Sequence, residues 1–90
     1  MRITVMVILE TYRTGTGKKS GERYEMLTLR CVDKSLPKEA RCKSLLEITL
    51  AKEDLTYRGS LEDEVLDLDI LEIKGEFGGC VQGNGKVFRV

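Results

Sequence analysis

Apolar and polar residues alternate over much of the chain, the pattern of strands that turn one face to a core. Ile3, Val5, Val7 and Leu9 hold successive odd positions in MRITVMVILE, with Thr4 between the first two and Glu10 closing the run. Met6 and Ile8 fill even positions, so both sides of this strand carry apolar cover. Residues 23–33, RYEMLTLRCVD, predict a second strand with Leu27, Leu29 and Cys31 on one face and Tyr24, Met26, Thr28 and Arg30 on the other. Residues 42–52, CKSLLEITLAK, place Leu46, Ile48 and Leu50 together. Leu45, Leu46 and Leu50 also approach helical spacing, but Ile48-Thr49 favours a strand. Residues 65–74, VLDLDILEIK, alternate through Leu66, Leu68 and Ile70 and then change parity at Leu71 and Ile73, which predicts a bulge. Gly83-Asn84-Gly85 is a hairpin-turn signal that divides the last segment into GEFGGCVQ and KVFRV.

The connections differ in kind. Thr14 to Glu22 form a loop with Gly15, Gly17 and Gly21, Lys18 and Lys19, and no apolar side chain. KSLPKEAR, residues 34–41, holds the only proline, Pro37, and has room for a short helical turn. EDLTYRGSLEDE is polar, carries Gly59 and reads as a long turn. Short strands with turn signals every ten or so residues predict an all-β fold. The expected architecture is a small five-stranded antiparallel OB-like barrel with an extended β-hairpin arm. The 90 residues make one domain, 1–90.

Composition narrows the function. Three cysteines, Cys31, Cys42 and Cys80, form no C-x-x-C pair, and histidine is absent, so neither a zinc site nor a cofactor is expected. The odd thiol count suits a reducing cytoplasm. Without histidine there is no Ser-His or Cys-His pair, and no enzyme is expected. No apolar run approaches a membrane span. Net charge is zero but segregated. Residues 1–46 hold 10 Lys and Arg against 5 Asp and Glu, and residues 47–76 hold 3 against 10. Local fields guide association, so a neutral total leaves a polyanion partner open.

The glycine–lysine loop is not a P-loop. The residue after Gly17-Lys18 is Lys19 rather than Ser or Thr, and Tyr12 stands where the first glycine belongs. The loop better suits a flexible arm for a nucleic-acid backbone. Arg13, Lys18, Lys19 and Arg23 can pair with phosphates, and Tyr24 and Met26 follow on the face opposite Leu27 and Leu29. A charged groove with an exposed ring is the requirement for single-strand binding. Phe77, between glycines in KGEFGG, is either a second stacking platform or a core residue. Tyr24 is equally compatible with a barrel-rim position, and Lys18 and Lys19 with a solubilising loop tip.

The order of these parts resembles the filamentous-phage gene V single-stranded DNA-binding protein family. There a strand leads into a basic arm ending in G-x-x-Y, followed by a V-D strand end, an I-T-L strand, a tyrosine-containing turn, a G-x-F-G segment and a basic terminal strand. Here those parts read KKSGERYEM, CVD, LLEITL, LTYRGSL, GEFGG and KVFRV, covering roughly residues 12–90. The resemblance implies an OB-fold homodimer that coats single-stranded DNA cooperatively, with little sequence preference, during bacteriophage DNA replication in the cytoplasm of a bacterial host. It matches Lys19 to an arm arginine, Tyr24 to a stacking tyrosine and Met26 to an apolar contact beside it. It matches Phe77 to a hairpin-tip phenylalanine that reaches the partner's DNA site, and Lys86 to a late arginine. Binding of RNA is a natural extension. Glu47 stands where the family has a DNA-contacting lysine, and Glu22 replaces an arm lysine, which predicts weaker binding.

Two other readings are open. A protein–protein interaction module would use the acidic face over residues 61–72, and a small enzyme would use carboxylates such as Asp67 and Asp69, which share a strand face.

Overall fold

The computed structural model describes residues 1–34 and 45–88. The possible helical turn around Pro37, and Cys42, lie outside them. Among the described residues the strands are β1 (Arg2–Thr16), β2 (Arg23–Asp33), β3 (Leu45–Leu50), β4 (Val65–Phe77) and β5 (Cys80–Val87). They close into a barrel in the order β1-β2-β3-β5-β4. The all-β, OB-like expectation is met, with one correction to strand direction. Alternating directions cannot close around an odd number of strands, so one pair must run parallel. That pair is β3–β5, from Leu45 opposite Cys80 to Leu50 opposite Gly85.

Val5, Val7, Leu27, Leu29, Cys31, Ile48 and Leu68 are fully buried and fill the interior. The β2 alternation holds as the sequence predicts. In β1 it does not: a bulge between Val7 and Leu9 inserts Ile8 as an extra residue. Val5 and Val7 point inward, but Leu9 is turned out and 46 % exposed instead of sharing their face. Beyond the bulge the parity is reversed. Leu9, Thr11 and Arg13 lie opposite Arg30, Thr28 and Met26, while Tyr12 lies opposite buried Leu27. Tyr12 packs against the core.

The long turn after β3 contains a 3₁₀ helix, Lys52–Tyr57. Its Asp54 is fully buried, and a carboxylate oxygen accepts the Val87 N–H at 2.8 Å. Burial of a carboxylate requires such partners. The Glu10 carboxylate accepts backbone N–H groups from Gly59 and, at 3.1 Å, Leu61, fastening this turn to β1.

β4 carries bulges between Ile70 and Glu72 and between Ile73 and Gly75, at the parity change seen in the sequence. The final hairpin turn is not at Gly83-Asn84-Gly85, which lie inside β5. It is at Gly78-Gly79, whose φ values of 59° and 81° suit a two-residue turn with both central residues left-handed. Gly83 and Gly85 serve close approach instead. A Cβ on Gly83 would run into the Glu72 carbonyl oxygen, and one on Gly85 would lie 2.9 Å from that of Asp69.

The arm is a paired ribbon out to Thr16–Arg23, leaving six residues, 17–22, as its tip rather than a loose nine-residue loop. It lengthens the molecule to 45 × 30 × 22 Å. The Cα radius of gyration, 13.4 Å, exceeds the ~12 Å expected for a compact chain of this length.

Candidate nucleic-acid interface

A groove of about 390 Å³ crosses the outer face of β1, β2, β3 and β5, with Lys74 of β4 on its rim. Thr11, Thr28 and Thr49 supply hydroxyls, and Leu9 and Met26 apolar surface. The Thr28 and Thr49 hydroxyls lie 3.4 Å apart. Arg13, Arg30 and Lys74 are its cations and Glu47 its carboxylate, with Arg30 Nη2 3.5 Å from Glu47 Oε2. Among the described residues Arg13 and Lys74 have no ion pair, so two positive charges face the groove uncompensated.

Arg13 and Met26 face each other across the ribbon at one end of the groove. Tyr24 continues the outward face of Met26 and is 46 % exposed. It lies opposite Gly15, and its ring covers that glycine closely: a Cβ on Gly15 would sit 2.7 Å from Tyr24 Cζ. The missing side chain lets the ring lie across the ribbon. Lys18, Lys19 and Arg23 are exposed near the arm tip. None of the three has an ion pair among the described residues.

Phe77 is 60 % exposed beside the β4–β5 turn, which removes the core alternative, but it does not line the groove. Lys86 is set apart as well. It pairs in register with Asp69 and borders a second hollow with Glu53 and Phe88. Arg30, Lys74 and Gln82 complete the groove although the sequence did not single them out as contacts. Arg30 shared a predicted face with Tyr24 and Met26, so its place was recoverable. Lys74 is the extra residue of the second β4 bulge, between Ile73 and Gly75, and no sequence signal places it.

The back of the arm is braced. The Tyr12 hydroxyl donates to Glu25 Oε2 at 2.5 Å, Arg58 stacks 4.4 Å from the Tyr12 ring centroid, and Arg58 Nη1 is 3.8 Å from the same carboxylate oxygen. The Glu25 hydrogen bond, with burial and the carboxylate charge behind it, holds the Tyr12 phenol above its ordinary pKa. These contacts engage the face away from the groove, so they orient the ribbon without covering it.

Among the described residues no group of three or more His, Cys, Asp or Glu is placed to hold a metal ion. No helix there is long and apolar enough to cross a membrane. Comparison with protein-family models, curated proteins and solved structures finds no match to the chain.

Proposed function

We propose that the chain is a single-stranded DNA-binding protein that coats its ligand as a cooperative homodimer, after the gene V pattern. It performs no catalysis in this reading. One observation carries the proposal: a cationic, hydroxyl-rich groove runs across the barrel to a ribbon that presents an exposed Tyr24. In OB folds the outer face of the second and third strands, flanked by the 1–2 and 4–5 loops, is where oligonucleotides bind, and the groove occupies that face. Arg13, Lys18, Lys19, Arg23 and Lys74 pair with phosphates, and bases stack on Tyr24 beside Met26. Leu71, Ile73 and Phe77, each more than half exposed on β4, support a partner subunit covering that hairpin. The same groove accommodates single-stranded RNA, and a phage replicon in a bacterial cytoplasm is the proposed setting.

Fluorescence titration with a mixed-sequence strand of about 16 nucleotides tests this, alongside a mass measurement for the dimer. Binding should weaken with salt at a log–log slope of about −3 to −4, roughly 0.7 per phosphate contact. Absence of binding at about 20 mM salt, where phosphate contacts are strongest, would reject the proposal in favour of a protein-binding module using the acidic face.

A further inference from the structure

Among the described residues, Glu47 is the one lining the groove whose charge opposes a phosphate. It stands on β3 between Arg30 of β2 and Gln82 of β5, in register with both. Its side chain is 31 % exposed, and Oε2 lies 3.5 Å from Arg30 Nη2. Among the described residues Oε1 has no hydrogen-bond partner. A carboxylate only accepts, and a guanidinium only donates. Side by side, the pair therefore offers two acceptors followed by a donor.

That order complements one base edge. The Watson–Crick edge of guanine presents the N2 amino group, the N1–H and then O6: two donors followed by an acceptor. Cytosine and adenine each present a single donor group, with an acceptor where the second donor is needed. Thymine presents a single N–H between two carbonyl oxygens, so its edge sets an acceptor against the carboxylate. Unpaired bases are free to offer these edges to a protein.

We propose that the Arg30–Glu47 pair on the groove floor reads guanine, giving an otherwise sequence-tolerant binder a preference for guanine-containing single strands over thymine-only ones. The proposal rests on the single-strand reading above. The carboxylate accepts from guanine N1–H and the N2 amino group, and Arg30 donates to O6. The cations at the groove rim and arm hold the phosphates away from Glu47.

The test uses three fluorescently labelled 16-mers in lithium salt, which disfavours guanine tetrads. One is all thymidine, one alternates thymidine with guanosine, and one alternates thymidine with inosine, which lacks the N2 amino group. The guanosine strand should bind about tenfold more tightly than the thymidine strand, a factor within the range of a good bidentate contact. The inosine strand should fall between them. Glu47→Gln should bring the three affinities together, largely by improving the thymidine strand. Equal affinities in the wild type, or an equal gain on all three strands in Glu47→Gln, would overturn the guanine assignment and leave the single-strand reading standing. Failure of all three strands to bind would overturn both.

Discussion

Gly15→Ala separates binding from stability. The new Cβ would lie 2.5 Å from the Tyr24 hydroxyl oxygen, 2.7 Å from Cζ and 2.9 Å from Cε1. All three atoms belong to one exposed side chain, so the ring swings away and the backbone stays. Gly15 does not have a positive φ, so alanine fits its extended conformation. Loss of unfolded-state entropy then leaves stability unchanged or raised by about 0.4–1 kcal/mol. The displaced ring no longer offers the same face to a base. If its stacking contributes ~1–3 kcal/mol, affinity for a single strand should fall roughly 5- to 150-fold. Oligonucleotide titration and thermal melting of the same preparation read the two effects. Tyr24→Ala should lose as much affinity, and the double variant no more than Tyr24→Ala alone, because both changes remove one contact. Full affinity in Gly15→Ala, or a further loss in the double variant, would refute the placement of the ring as a platform.

Three further expectations rest on separate features. Lys74→Ala should reduce the salt slope of binding by about 0.7, whereas Lys86→Ala, in the separate hollow with Glu53 and Asp69, should leave it unchanged. Gly83→Ala should cost about 1–3 kcal/mol in denaturant unfolding, because its Cβ meets the Glu72 backbone, which cannot swing aside as Tyr24 does. Burial, with Asp33 adding to it, pushes the Cys31 thiol from an ordinary 9.0 to about 12. The folded pKa is raised, so this contribution is whole below pH 9 and is lost as pH rises towards 12. The slope is about 1.4 kcal/mol per pH unit. Urea midpoints measured at pH 8.5 and 10.5 should fall less in Cys31→Ala than in the wild type.

Where alternation ran unbroken the sequence was readable residue by residue. In β2, Leu27, Leu29 and Cys31 could be separated from Tyr24 and Met26 because nothing interrupts the pleat. In β1 the run Val7-Ile8-Leu9 is apolar at every position, so it carries no mark of which residue is the extra one. The faces of Leu9 and Tyr12 were therefore lost, while Arg13 remained recognisable by its charge. Gly83-Asn84-Gly85 misled because glycine serves two needs, a left-handed turn and a close backbone approach, and the chain fills the first with Gly78-Gly79. Asp54 was hidden among solvent-like neighbours, since only the fold brings the Val87 N–H to it. The cations of the arm were legible locally. The groove they lead into joins β1, β2, β3, β5 and Lys74, a neighbourhood set by strand order rather than by sequence distance.

Ile8 gives the barrel and the arm independent phase along one continuous strand. An arm grafted onto another barrel without this inserted residue would arrive rotated, with Arg13 sent towards the core and Tyr12 towards the groove. Lengthening the ribbon by two residues on each side would extend its reach and keep its faces. Lengthening it by one would exchange them, so the arm can change size only in even steps.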